Sequence, residues 1–279
     1  MNTRTPSNDS PLITFIGGGN MASAIIGGLL RQGHPPARLQ VVEPWDEQRS
    51  RLAQQFPGVA LHPAAGPGLK ASDMVVWAVK PQTFREAALA SAAHLQGALH
   101  LSVAAGITTD SMTAWLGTGR IVRAMPNTPA LVGLGMTGLF ARDDAGDDDR
   151  TLVEQVVRTT GELAWVPVEQ DLDAVTALSG SGPAYVFYFL EAMRDAGENM
   201  GLSPELALQL ATGTFIGAAT LARRSDDPPQ ILRERVTSKG GTTFAAITTL
   251  QAAQVKESFE MALEAARRRA EELGREYGG

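Results

Sequence analysis

A short apolar run, Ile13-Thr14-Phe15-Ile16, passes straight into Gly17-Gly18-Gly19-Asn20-Met21-Ala22, and helical periodicity then continues to Gln32. A strand, a glycine turn and a helix in that order commit the start of the chain to a β-α-β unit with a parallel neighbour strand. More short β-rich runs follow, at residues 39–42, 74–79, 99–103, 121–125, 136–141 and 163–166, with a helix expected over 46–55. Several are apolar throughout, as strands buried on both faces of a parallel sheet must be. Alternation at this spacing predicts a doubly wound α/β sheet.

After Pro167 the strand signal stops. Residues 172–178, 183–200, 204–224, 229–236, 243–253 and 255–273 read as helices, with proline near several first turns. Gly213, Gly217, Ala218, Ala219 and Ala222 leave a helix face on which backbones can approach closely. This all-helical half is expected to pack against a second copy of itself; a self-contained monomeric bundle is the alternative. The chain therefore divides into a loose polar tail over 1–11, an α/β domain over 12–167 and a helical domain over 168–279. The acidic run 143–150 is expected to be a solvated loop.

Composition narrows the chemistry. Across 279 residues, 44% are hydrophobic and 19% charged, an ordinary globular balance. Thirty acidic against 24 basic residues give −6, which lacks the basic footprint of a nucleic-acid binder. The absence of cysteine excludes disulfides, thiolate metal sites and a thiol nucleophile, and agrees with a reducing compartment. All four histidines (His34, His62, His94, His100) fall in the first hundred residues and none is four residues from another, so no metal site is expected. The apolar run 74–79 is too short to cross a bilayer, and residues 1–10 have no apolar stretch of the signal-peptide kind. No membrane partner and a cytoplasmic location are expected.

The glycine turn has the G-x-G-x-x-A form of a dinucleotide fingerprint. Gly17 permits the tight turn, Gly19 lets backbone approach a pyrophosphate, and Ala22 allows close contact between helix and strand. Helix N-terminal amides then face the phosphate charge. This assigns Ile16, Gly17, Gly18, Gly19, Asn20 and Met21 to a cofactor site of the Rossmann type. Glu43, at the end of the second strand and roughly 20 residues past Ala22, can take both ribose hydroxyls and repel a 2′-phosphate, which favours NAD over NADP. The other reading of Glu43 is an exposed turn residue before Pro44; Arg49 and Arg51 could still meet a 2′-phosphate. Two further strand ends should line the same crevice: Ala78-Val79-Lys80-Pro81, and Ala104 with Ala105. Lys80 reads equally as a proton donor or as a solvated charge.

Two small-residue loops lie farther on. Thr237-Ser238-Lys239-Gly240-Gly241-Thr242-Thr243 opens an Ala-rich helix, and its backbone amides form either an anion cradle or an ordinary Thr-capped turn. Leu178-Ser179-Gly180-Ser181-Gly182-Pro183 starts another long helix, as a cap or as a point of close packing.

Together with Ala78-Val79-Lys80-Pro81 and Met125-Pro126-Asn127-Thr128-Pro129-Ala130, these loops and the fingerprint resemble pyrroline-5-carboxylate reductase, in that family's order and from about residue 12 to 273. The resemblance implies reduction of Δ1-pyrroline-5-carboxylate to L-proline with NADP(H) or NAD(H), the last step of proline synthesis. It implies that the helical domain binds substrate and interlocks with its partner in a dimer, with rings of dimers frequent. Ser238, Gly240, Gly241, Thr242 and Thr243 would then bind the substrate carboxylate, with Thr243 beside the ring nitrogen as the catalytic hydroxyl. Asn127 would form a wall of the nicotinamide pocket. Lys239 departs from the family's proline, giving a looser loop and an added positive charge. Such chemistry needs no metal or nucleophile, because an iminium carbon is already electrophilic. The competing readings are a related imine reductase or β-hydroxyacid dehydrogenase, and a non-catalytic dinucleotide-binding redox sensor.

Overall fold

The computed structural model describes residues 10–278, so most of the expected tail lies outside the described residues. The chain forms two compact units. One comprises Met1–Ser181 with Ala266–Gly279, the other Gly182–Ala265.

The first unit is built on eight strands: β1 (Ile13–Ile16), β2 (Leu39–Val42), β3 (Ala60–His62), β4 (Met74–Trp77), β5 (Leu99–Ser102), β6 (Ile121–Met125), β7 (Gly135–Ala141) and β8 (Gly161–Trp165). They form one sheet in the order β3-β2-β1-β4-β5-β6-β7-β8. All neighbours are parallel except β6 and β7. Strand order reverses between β1 and β4, where Ile13 pairs with Leu39 on one side and Met74 on the other. Ligands of doubly wound sheets bind at that reversal, beyond the carboxyl ends of the strands. The helices are α1 (Asn20–Arg31), α2 (Asp46–Gln55), α3 (Pro81–Ser91), α4 (Thr109–Leu116), α5 (Asp147–Val157) and a short α6 (Asp171–Val175).

Alternate strand residues feed opposite faces. Ile13, Phe15, Val41, Met74 and Val76 join Ile26 and Leu52 in one apolar cluster. Ile16, Val42, Val75 and Trp77 join Phe84 and Leu95 in the other. Burial on both faces explains why these strands read as continuous apolar runs. Inside the sheet, Trp77 Nε1 donates to His100 Nδ1 at 3.0 Å. Burial, then the charge of Arg120, pushes the His100 imidazole down to about 4, so it is neutral in the folded protein at pH 7.

Three local expectations are corrected. The acidic run is not wholly a loop: Asp147, Asp148 and Asp149 form the first turn of α5, where carboxylates suit the positive helix end. Asp149 is buried and takes a two-pronged bond from Arg120, at 2.9 and 2.6 Å. The strand expected over 74–79 ends at Trp77, because Lys80 already caps α3 and Pro81 opens it. The helix expected over 172–178 stops at Val175 and widens into a π-turn, Thr176–Gly180.

The second unit is helical: α7 (Gly182–Asn199), α8 (Pro204–Arg224), α9 (Pro229–Arg235), α10 (Thr242–Ala252) and α11 (Val255–Tyr277), the last running on into the first unit. Ser203 caps α8 by accepting from Leu206 N, and Pro204 opens it. Tyr185 and Phe189 of α7 pack on Phe259 of α11 at 5.6 and 5.9 Å between ring centres. By length and composition α8 is apolar enough to cross a membrane. Gln209, Thr212 and Thr214 interrupt its apolar residues, so it holds no long unbroken apolar run. Phe187, Tyr188, Ile216, Leu221 and Met261 leave this unit with a large exposed apolar surface.

Candidate active site

The fingerprint turn is where three strand ends meet. Gly17 has φ +94°, and a Cβ there would sit 2.6 Å from the Ala78 carbonyl oxygen, so only glycine fits. Its N–H donates to Val42 O at 2.9 Å, and Ala78 N donates to Ile16 O at 2.8 Å. Gly19 caps α1 in extended conformation without a side-chain cap. A Cβ at Gly19 would meet nothing within 4 Å, so the turn is open at the helix N-terminus, where a pyrophosphate fits. Ile16, Gly17 and Gly18 are buried, Asn20 is exposed and Met21 half-buried.

Glu43 does not stand idle at the end of β2. Its Oε2 accepts from Gly18 N at 2.9 Å and its Oε1 from Trp45 N at 3.0 Å. The carboxylate thereby ties the phosphate turn to the turn after β2. Gln48 of α2 supports it by donating to Gly18 O at 2.6 Å, a partner the sequence does not signal. The Arg49 guanidinium donates to the carbonyls of Glu43 and Pro44 at 2.8 and 2.7 Å and pairs with Asp46, so it holds this turn. Arg51 is exposed.

The remaining candidates of this unit gather at the same edge. Ala78 and Val79 are half-buried after β4, Lys80 is exposed as the cap of α3, and Pro81 is its first residue. Ala104 is buried, with its N–H on Ser102 Oγ at 3.3 Å, and Ala105 is half-buried beside it. Asn127 follows β6. Its Nδ2 donates to Ser179 O and Oγ at 3.2 and 3.3 Å, and its Oδ1 accepts from Met136 N at 2.9 Å. One amide thus joins two loops that the sequence shows only as separate motifs. A Cβ at Gly180 would lie 2.5 Å from Met125 Cε, so that loop is a point of close packing.

The second cluster lies in the helical unit. Ser238 O accepts from Gly241 N at 3.0 Å, and Gly240 takes φ +74° at the corner. The cap of α10 is Gly241, not a threonine, and no side chain satisfies its first amides. Thr242 is exposed and Thr243 half-buried in that first turn, and among the described residues neither hydroxyl has a hydrogen-bond partner. Lys239 is exposed. The uncapped first amides of α10, followed by two uncommitted hydroxyls, can bind a carboxylate and present a proton relay.

Comparison with known proteins gives a family match in each half of the chain. A family profile described as pyrroline-5-carboxylate reductase dimerisation matches residues 169–273. Another, NADP oxidoreductase coenzyme F420-dependent, matches residues 12–106. A pyrroline-5-carboxylate reductase of Pseudomonas aeruginosa is 43% identical over 271 residues, 96% of this chain and 99% of the relative. The structure of a pyrroline-5-carboxylate reductase from Coxiella burnetii superposes with TM-score 0.88 at 40% identity, over 95% of this chain and 99% of that one. The pyrroline carboxylate reductase of Plasmodium falciparum with NADP bound gives TM-score 0.85 at 28% identity, over 95% and 99%. With a fingerprint sheet at one end, a dimerisation domain at the other and relatives matched along nearly their whole length, this chain belongs to the pyrroline-5-carboxylate reductase family, NAD(P)H-dependent enzymes that self-associate and act on a small cyclic imine.

Proposed function

We propose that the chain reduces Δ1-pyrroline-5-carboxylate to L-proline, with NAD(P)H on the Gly17–Gly19 turn and the substrate carboxylate on the turn that opens α10. The observation that carries this reading is the pairing of an open fingerprint turn with a second amide cradle followed by unengaged hydroxyls. The bound dinucleotide supplies the hydride for the C=N carbon. The chain's own residues bind, orient and move a proton. Amides of Gly240, Thr242 and Thr243 hold the carboxylate, each charge-assisted bond contributing on the order of 1.5–3 kcal/mol, while the Gly241 N–H stays on the Ser238 carbonyl and shapes the turn. The Ser238 carbonyl fixes the turn. The Thr243 hydroxyl lies beside the ring nitrogen, orients it and relays a proton taken from water. Asn127, anchored to β7 and to the turn at Ser179, forms a wall of the nicotinamide pocket, and Ile16 to Met21, Ala78 to Pro81, Ala104 and Ala105 line the rest.

Glu43 supports a preference for NADH. Its carboxylate is anchored at the end of β2, and Arg49, the first cation that follows it in sequence, is spent on backbone carbonyls. The helical half, from residue 168 on, carries substrate binding and dimer formation. Its apolar surface, α8 included, faces a second copy rather than lipid, with rings of dimers as the larger assembly. The enzyme works in the cytoplasm.

The test is Thr243→Ala, assayed with pyrroline-5-carboxylate and titrated separately with NADH. Turnover should fall about 100-fold, in the range of a lost proton relay, while the NADH dissociation constant moves less than about twofold. Unchanged turnover removes Thr243 from this role.

A further inference from the structure

We infer that Trp45 is the platform on which the adenine ring of the dinucleotide rests. The inference depends on the coenzyme site proposed above, which fixes where the base must lie. Gly17 N on Val42 O and Gly18 N on Glu43 Oε2, both at 2.9 Å, stitch the phosphate turn to the end of β2. A dinucleotide whose pyrophosphate rests on that turn has its adenosine ribose at Glu43, and the base lies one step farther, along Pro44 and Trp45.

Trp45 differs from the other three tryptophans. Trp77 is fully buried. Trp115 packs on Phe84 at 5.9 Å between ring centres. Trp165 lies under the Arg150 guanidinium at 4.9 Å and donates its Nε1 to Glu154 at 2.8 Å. Trp45 is 71% exposed, and among the described residues no ring or cation covers its face. Its backbone is nonetheless fixed from both sides. The N–H donates to Glu43 Oε1 at 3.0 Å, the carbonyl accepts from Arg49 N at 2.9 Å, and Arg49 clamps the two preceding carbonyls. A large flat ring on a rigid turn beside the expected base is preorganised for stacking, which any adenine-containing partner can use.

Trp45 is also the most exposed fluorophore of the four, so binding can be followed without turnover. Wild type, W45F and W45A are titrated with NADH, NADPH, ADP-ribose and nicotinamide mononucleotide, reading tryptophan emission and, independently, calorimetric affinity. ADP-ribose should quench the red-edge emission of the wild type, and nicotinamide mononucleotide should leave it unchanged. W45A should lose that quench and bind ADP-ribose and both dinucleotides at least about 10-fold more weakly, and W45F should stay within about threefold. The mononucleotide should bind all three proteins alike. If W45A binds ADP-ribose as the wild type does, the inference is overturned and the coenzyme site stands. If W45A changes the mass of the assembly but not the affinity, the ring belongs to a subunit contact and the inference is equally overturned. If the wild type binds neither dinucleotide, the coenzyme site itself is misplaced.

Discussion

The two units bury their apolar residues differently. In the first, Phe15, Val76, Trp77, Leu101 and Val122 are sealed from solvent, and the sheet is covered on both faces. In the second, α7 to α10 bury Gly197, Ala207 and Ala211, and among the described residues no large apolar side chain is sealed. Phe187, Tyr188 and Ile216 are each at least 64% exposed. A sheet of this kind completes its core within one chain, whereas these helices leave apolar surface that the proposed second copy would cover. Stability of the first unit should depend on its own contacts, and that of the second on protein concentration.

The sharpest break of that contrast is a buried charge in the first unit. Arg123 of β6 donates to Glu169 at 2.7 Å, and both are largely buried. Glu169 also takes the N–H and hydroxyl of Thr109. Arg123→Met leaves that carboxylate without its counter-charge and should cost about 3–5 kcal/mol in urea unfolding, by the same amount at any protein concentration.

A second test of the same unit uses pH. His100 is held at about 4 when folded and near 6.5 when unfolded, so the unfolded chain takes up the proton first as pH falls. Stability from the neutral ring is complete above about pH 6.5 and is lost towards pH 4, by about 3 kcal/mol in all. His100→Asn, which keeps an acceptor for Trp77, should flatten the urea-unfolding profile between those values.

The helical unit is probed by Ile216→Glu. A carboxylate on that apolar face should weaken the dimer about 100-fold, or about 2.7 kcal/mol, in sedimentation equilibrium. ADP-ribose affinity should hold within about twofold. If mass is unchanged and affinity falls, the assignment of that face to self-association fails. Smallest is Glu43→Gln, which keeps the shape and removes the charge. The ratio of NADH to NADPH affinity should drop about tenfold, or about 1.4 kcal/mol. If the ratio stays put, the carboxylate only holds the turn.

Much of this architecture is written in the sequence where one physical cause dominates. Strands such as β1 and β4 are legible because burial on both faces demands apolar residues in a row, and the fingerprint because a turn against Ala78 excludes every side chain. β3 is not, since Ala60, Leu61 and His62 sit partly exposed at the sheet edge and carry no clear period. Asp147 to Asp149 read as solvent-loving residues, although a helix start favours them and Arg120 waits 29 positions away in sequence. Glu43 was legible as a strand-end carboxylate but not as the partner of Gly18, because that bond joins separate elements. Asn127 and Thr243 come from family resemblance, as no periodicity marks a residue whose importance lies in what it faces.

The dinucleotide unit is also discontinuous. Gly106, after β5, leaves room for Leu273 and Gly274, and Gln82 donates to Tyr277 at 3.2 Å, so α11 closes a unit begun more than 150 residues earlier. During synthesis the ribosome releases the whole sheet, then the apolar helices, and only afterwards the end of α11 that rejoins the first unit. A nascent chain therefore holds an unfinished nucleotide fold beside an uncovered apolar surface until residues 266–278 arrive, so loss of that last stretch should expose both at once.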